Sequence, residues 1–183
     1  MTHPPPAPES PTPDALTARA FGLFWDQHYA EALAIVDAAL NLDPACVRAY
    51  LTKTVTLVQL GRPREARAFA EEAIRLQPDY GVAYSILAYC LSRDGDRPRA
   101  VANFERALTL SPEDCRVYYN YACYWADMGR PAECARWLEA GLRLEPGMAK
   151  NLLRDPDFAR YAQDEWLRDL VAEYRARELA QNK

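Results

Sequence analysis

Residues that carry out chemistry are scarce in this sequence. It has two histidines, His3 and His28, and five cysteines, none of them in a CxxC pair. His3 lies in a proline-rich leader and His28 in a short turn, and neither is placed to act as a general base. The odd number of dispersed cysteines predicts reduced thiols, without a disulfide framework or a zinc site. We therefore expect no catalytic residue, no metal and no cofactor.

An excess of positive charge is also missing. The net charge of -4 and the pI near 5.3 argue against nucleic acid as a partner, because binding phosphates favours Lys and Arg. No stretch approaches the roughly 18 uninterrupted apolar residues of a membrane helix. The N-terminus lacks the basic and apolar segments of a secretory signal. We expect a soluble, cytoplasmic protein that contacts neither nucleic acid nor membrane.

Glycine is rare, with seven copies, but its placement is regular. Three glycines and four prolines recur with a step of 34 residues: Gly61, Gly95 and Gly129, and Pro44, Pro78, Pro112 and Pro146. A fixed period is the sequence signature of a solenoid, and a period of 34 residues with a helix-turn-helix pattern is typical of helical repeats.

Within each period the pattern predicts two helices joined by a short turn. The turn reads GRPREA, GDRPRA and GRPAEC in three copies, where glycine permits a left-handed helix end and proline suits the start of the next helix. Asp14 is the expected N-cap of the first helix. One position of every second helix holds a small residue, as close helix packing requires: Ala32, Ala66, Ala100 and Cys134.

These positions together resemble the tetratricopeptide repeat family. In the third copy the match consists of the large-then-small pattern of the first helix, followed by five spaced positions: Tyr84, Leu87, Ala88 and Leu91, then Gly95, Ala100, Phe104, Ala107 and Pro112. The first copy departs most, with Leu16 where tyrosine is expected and Gln27 where glycine is.

The resemblance implies an all-α fold, a right-handed α-solenoid of four helix pairs with a C-terminal capping helix. We expect residues 1–13 to form a disordered proline-rich tail and residues 14–148 to form four repeats, at about 13–46, 47–80, 81–114 and 115–148. Residues 149–183 are expected to form a helical cap, because the open end of a solenoid exposes an apolar face.

The last part of the chain is similar to the closing segment of many bacterial tetratricopeptide proteins, which carry a DPDF motif before an apolar final helix. Residues 155–158 match that motif as they stand. Glu165 and Trp166 stand where proline and arginine are commoner. Trp166 is therefore either part of the cap or a surface aromatic that contacts a partner.

In this family the first helices of the repeats line a concave groove. The phase of the repeat places apolar and aromatic residues in its middle and three cations along one edge, which suits a peptide with apolar side chains and an acidic flank. The predicted partner-binding groove consists of Phe21, Phe24, Arg48, Leu51, Val55, Val58, Ser85, Tyr89, Arg116, Tyr119, Asn120 and Lys150.

The sequence thus favours a non-enzymatic adaptor or scaffold that binds a protein or peptide segment in this groove. Two alternatives stay open: a small chaperone that shelters an apolar client segment, and a self-assembling subunit that forms a homo-oligomer. The clamp that grips the C-terminal carboxylates of Hsp70 and Hsp90 is not predicted, because its Lys and Asn are replaced by residues such as Leu51 and Val55. Nothing in the sequence identifies the partner.

Overall fold

A computed structural model describes residues 11–181, and this range contains helices and short connections but no β-strand. The all-α prediction is therefore confirmed. Residues 1–10, which include most of the predicted proline-rich tail, lie outside the described residues. Four helix pairs follow one another: α1 Pro13–Trp25 and α2 Tyr29–Leu42, α3 Val47–Gln59 and α4 Pro63–Leu76, α5 Gly81–Arg93 and α6 Arg97–Leu110, α7 Cys115–Asp127 and α8 Pro131–Leu144.

The C-terminal part consists of shorter elements and one long helix. Its elements are a 3-10 helix Pro146–Met148, α9 Ala149–Leu152, a second 3-10 helix Pro156–Tyr161, and α10 Glu165–Gln181. α10 packs on α8, α9 and the first 3-10 helix, with Leu167, Val171 and Tyr174 buried. It thereby covers the apolar end of the last helix pair.

The start of α1 differs from the prediction. Asp14 is not the N-cap, because the helix already begins at Pro13 and Thr12 occupies the cap position. The Thr12 hydroxyl accepts a hydrogen bond from the backbone N–H of Ala15 at 3.2 Å. Proline is favoured in a first helical turn, where its missing N–H leaves no unpaired donor. Asp14 instead lies in the first turn, where a negative charge favours the helix dipole.

The turn inside each pair has one conformation in all four repeats. The second residue after the first helix has a positive φ, which glycine adopts without steric cost: Gly61 at 72°, Gly95 at 90° and Gly129 at 67°. In the first repeat Gln27 takes the same conformation at φ 63°. The first turn is therefore built like the others, with a residue that is strained there.

The tyrosine near the start of three first helices has a repeated hydrogen bond. Each hydroxyl donates to the carbonyl of the proline six residues earlier, which fixes the turn between successive repeats. Tyr50, Tyr84 and Tyr118 donate to Pro44, Pro78 and Pro112, at 3.2, 3.0 and 2.7 Å. Leu16 in the first repeat has no hydroxyl with which to do the same.

The first helices of the pairs form one continuous layer. α1 contacts α3, α3 contacts α5, and α5 contacts α7. The layer curves enough for its ends to meet, since the Trp25 ring at the end of α1 lies edge-on to the Tyr119 ring of α7, with ring centroids 6.4 Å apart. The concave side of this layer therefore surrounds a confined space.

Candidate partner-binding groove

A cavity of about 460 Å³ lies on the concave side of the inner helices. Its volume is within the range of pockets that hold a ligand or a few side chains. The walls are apolar and aromatic, and polar groups enter from α7 and from the C-terminal elements. The cavity wall includes Phe21, Phe24, Trp25, Arg48, Leu51, Val55, Gln59, Ile86, Tyr89, Arg116, Tyr119, Asn120, Met148, Lys150, Asp155 and Asp157.

The structure places all but two of the predicted groove residues on the wall of this cavity. The exceptions are Val58 and Ser85. Val58 is buried in the core. Ser85 is also buried, where its hydroxyl donates to the carbonyl of Val82 at 2.9 Å and accepts from the Asn120 amide at 2.8 Å. Ser85 thus joins α5 to α7 and is not available to a partner.

Two central residues of the predicted groove are less accessible than expected. Leu51 has 6% of its surface exposed and Tyr89 has 4%, although each borders the cavity. Neither residue therefore contributes much exposed apolar surface to the groove. Phe21 is the accessible aromatic, with 45% of its surface exposed. Its ring stacks parallel to that of Phe24 at 6.0 Å, so the two form an aromatic wall.

The cover over Tyr89 is a part of the same chain, here called the inserted segment (residues 155–161). Asp157 of this segment accepts two hydrogen-bond contacts from the Tyr89 hydroxyl, at 2.8 and 2.9 Å. It also accepts from Arg93 at 3.2 Å and from Gln59 at 3.3 Å. Burial and the charge of Asp157 raise the pKa of the Tyr89 hydroxyl, which keeps it protonated as a donor.

The inserted segment also fills space with apolar groups. Phe158 is fully buried, and its ring lies edge-on to that of Tyr119 at 5.7 Å. The Arg160 guanidinium donates to the carbonyl of Ala126 at the end of α7, at 3.2 Å. The DPDF motif therefore lies in the concave face itself, whereas the sequence predicted only a cover for the end of the solenoid. A partner can occupy only the part of the groove that this segment leaves open.

Asp155 is the most unusual titratable group of the cavity. Only 3% of its surface is exposed, and one of its oxygens accepts a hydrogen bond from the backbone N–H of Asp157 at 2.9 Å. Burial, followed by the nearby charge of Asp157, raises the pKa of Asp155 to about 7. Burial and these two carboxylates also raise the pKa of Tyr29, so the start of α2 is within electrostatic reach of the inserted segment.

The predicted basic edge is largely compensated by neighbouring carboxylates. Arg48 pairs with Asp14 at 3.4 Å, and the Arg116 Nε donates to Asp114 at 2.9 Å. All four of these side chains are partly exposed, so each pair contributes little to stability. Lys150 has no ion pair among residues 11–181. Of the three predicted cations, Arg48 and Arg116 each have a neighbouring carboxylate within residues 11–181, and Lys150 does not.

Several wall residues were not predicted from the sequence. Trp25 and Met148 lie at the ends of elements, outside the inward-facing helical positions. Asp155 and Asp157 belong to the DPDF motif. The sequence showed this motif by its resemblance to a closing segment, but it did not show that the motif lies in the concave face. Trp166 packs against Tyr161 with ring centroids 5.4 Å apart and donates to Asp164, so it is part of the cap.

The described residues offer little for other functions. Within residues 11–181 no group of three or more His, Cys, Asp and Glu is arranged to hold a metal ion. His28 caps the turn before α2 and contacts Glu31 at 3.1 Å, away from the cavity. In the same part of the chain, no helix has both the length and the apolar character needed to cross a membrane.

Comparison with known families agrees with this architecture. Three models of the tetratricopeptide repeat match residues 25–90, 82–114 and 116–140. The chain belongs to the tetratricopeptide repeat family. Its fold is one that serves in protein–protein interaction.

Two known proteins are similar in sequence to about half of this chain. The DnaJ homolog subfamily C member 7 homolog of Dictyostelium discoideum is 30% identical over 101 residues, and so is the Hsp70-Hsp90 organizing protein of Triticum aestivum. The matches cover 53% and 55% of this chain. They span only 19% and 17% of those two proteins, so the similarity concerns a repeat region of much longer chains.

Solved structures of similar shape have low sequence identity. The tetratricopeptide protein TTC0263 of Thermus thermophilus has a TM-score of 0.62 and 20% identity, covering 89% of this chain and 98% of that one. PilF of Pseudomonas aeruginosa has a TM-score of 0.57 and 21% identity, covering 88% and 76%. These similarities establish the shared fold.

Proposed function

We propose that this chain is a non-enzymatic adaptor that holds a short peptide segment of a partner protein in the cavity of its concave face. The observation that carries the proposal is the aromatic wall of Phe21 and Phe24, of which Phe21 is exposed, at the mouth of an apolar cavity that is open to solvent. Aromatic side chains at the centre of a recognition surface typically supply most of the binding energy. Phe21 also leaves apolar surface exposed at this mouth, and exposed apolar surface beside a cavity favours a binding role.

The size of the cavity favours a peptide over a folded domain. About 460 Å³ accommodates a few side chains, and the inserted segment blocks the rest of the concave face. A partner must therefore present an extended or loosely structured segment that places side chains inward. YrrB, a structural neighbour with a TM-score of 0.50, is described as a tetratricopeptide protein with an unusual peptide-binding site.

Selection from a random dodecapeptide phage library against the full chain tests this proposal. We expect peptides whose affinity falls at least about tenfold in Phe21→Ala, as for a binding hot spot. Leu179→Ala is the matched control, because Leu179 on α10 is 67% exposed and is not part of the cavity wall. Leu51→Asp is unsuitable as a test of binding at the cavity, because Leu51 is buried and a charge there would destabilise the fold.

Peptides that lose equal affinity in Phe21→Ala and Leu179→Ala would contradict binding in the cavity. An absence of selected peptides, combined with a mass that rises with concentration in light scattering, would instead favour self-assembly. Circular dichroism of each variant shows whether the fold is kept.

A further inference from the structure

The deepest charged group of the cavity has no positively charged partner. Asp155 borders the cavity and is 3% exposed, yet no ion pair among residues 11–181 includes it. Its one hydrogen bond in that range comes from a backbone N–H, which leaves the second carboxylate oxygen without a donor. Asp155 is the N-cap of the second 3-10 helix, and its remaining oxygen is free to accept a donor from a ligand. A buried carboxylate without a counter-charge is unfavourable, so a cation placed beside it would stabilise the ionised form.

The neighbouring groups do not supply the missing charge. Asp157 adds a second carboxylate, and Arg93, Tyr89 and Gln59 are committed to it by hydrogen bonds. Tyr29 of α2 faces both carboxylates as a neutral hydroxyl. Cys123 of α7 is a buried thiol whose pKa is raised by burial and by Asp157, so it too is neutral. Lys150 borders the cavity from α9 and is exposed.

The walls suit the stem of a cationic side chain. Phe21, Phe24 and Trp25 of α1 form one cluster, with the Phe24 and Trp25 rings edge-to-face at 5.5 Å. Tyr119 of α7 adjoins this cluster, with its ring edge-on to that of Trp25 at 6.4 Å. Aromatic faces attract a desolvated ammonium or guanidinium group, and their apolar surface packs against an aliphatic chain.

We propose that the partner segment inserts a positively charged side chain, lysine or arginine, into the cavity, where it donates a hydrogen bond to Asp155 between aromatic walls. This inference rests on the proposed function, because it requires a peptide in the cavity. It assigns a basic anchor to the partner, whereas the charges of Arg48, Arg116 and Lys150 had suggested an acidic flank.

Binding of such a cation is linked to the protonation of Asp155. The pKa of Asp155 near 7 in the free protein means that the carboxyl group is largely protonated at pH 6 and largely ionised at pH 8. Only the ionised form pairs with a cation, so binding releases a proton at low pH. The affinity should rise about tenfold from pH 6 to pH 8 and then level off.

The test compares peptides selected by the wild type and by Asp155→Asn from the same random dodecapeptide library. We expect lysine and arginine to be enriched only in the wild-type selection. A wild-type peptide should lose at least about tenfold in affinity to Asp155→Asn and show no rise between pH 6 and pH 8 with that variant. Asp169→Asn, which changes an exposed carboxylate on α10, should behave as the wild type.

The outcomes separate this inference from the proposed function. Peptides that depend on Phe21 but lack basic residues, or bind Asp155→Asn equally well, overturn the basic anchor and leave the peptide-binding cavity intact. If no peptide depends on Phe21, both proposals fail.

Discussion

The Tyr89 hydroxyl donates to the Asp157 carboxylate at 2.8 Å, across 68 positions of the chain. This contact joins the middle of the inner helix layer to the inserted segment and is reinforced by Arg93 and Gln59. Both partners are largely shielded from water, where hydrogen bonds to a charged group are stronger than at the surface. The concave face of this repeat protein is therefore shaped partly by its own C-terminal region.

Replacing Tyr89 with phenylalanine tests the strength of that link. Tyr89→Phe should lower the free energy of unfolding by about 1–3 kcal/mol, because a buried carboxylate loses a donor. Tyr84→Phe is the matched control, since its hydroxyl bonds to a backbone carbonyl at an exposed site and should cost less. Urea denaturation measures both values. Equal losses would mean that Asp157 finds another donor.

The turn of the first repeat predicts a substitution that stabilises the fold. Gln27→Gly should raise the free energy of unfolding by about 1 kcal/mol, because glycine adopts φ 63° without the clash that a Cβ makes. Gly95→Ala should lower it by a similar amount, since no neighbouring atom lies within 4 Å of the added Cβ and only backbone strain changes. Thermal denaturation of the two variants would show shifts of opposite sign. A loss of stability in Gln27→Gly would indicate that the glutamine side chain compensates for its strain.

Asp155 makes the stability of the fold depend on pH. Its pKa rises from 3.8 to about 7 on folding, so the folded state binds the proton more tightly. Stability is fully present below about pH 4, falls as the pH rises toward 7, and stays low above it. Between pH 4 and pH 8, Asp155→Asn should therefore gain up to about 4 kcal/mol relative to the wild type.

The control for this pH effect is Asp169→Asn, which should follow the wild type because Asp169 is exposed. Urea midpoints at several pH values give the comparison. A constant difference between Asp155→Asn and the wild type at all pH values would show that Asp155 ionises equally in both states.

The cysteines are expected to differ in reactivity. Burial raises the pKa of Cys90 and of Cys134 to about 12, so at pH 8 only about one thiol in ten thousand is ionised. Burial raises the pKa of Cys123 as well. Burial also raises the pKa of Cys115, but this thiol is partly exposed whereas the other four cysteines are buried, so it should react first with Ellman's reagent in the folded protein. Cys115→Ser should remove that first phase, and unfolding in urea should expose every thiol. A rapid phase that persists in Cys115→Ser would contradict this order.

Much of the fold could be predicted because the same sequence pattern occurs in several copies. Gly61, Gly95 and Gly129 mark turns that the structure also forms, and the small residues at Ala66 and Ala100 are fully buried between helices. The departure at Gln27 was visible in the sequence, and the structure shows that the backbone there keeps the glycine conformation. The periodicity contains this information, because equivalent positions of adjacent repeats have similar environments.

The interior of the groove could not be predicted in the same way. The repeat phase predicts that Tyr89 faces the concave side, but periodicity contains no information about a segment 68 positions later that covers it. Likewise, periodicity does not show that Tyr29, 126 positions earlier in the chain, lies within electrostatic reach of the buried Asp155. Such contacts arise from tertiary geometry and occur only once in the chain.

The contact between Trp25 and Tyr119 bears on how this chain folds. In an open repeat array each unit interacts only with adjacent ones, so units can unravel one after another from the ends. Here the first helix touches the seventh, and Gln59 reaches a residue 98 positions later. These links raise the average sequence separation of contacts, which slows folding. They also link α1 to α7 and α3 to the inserted segment, so we expect these helices to melt together and not one repeat at a time.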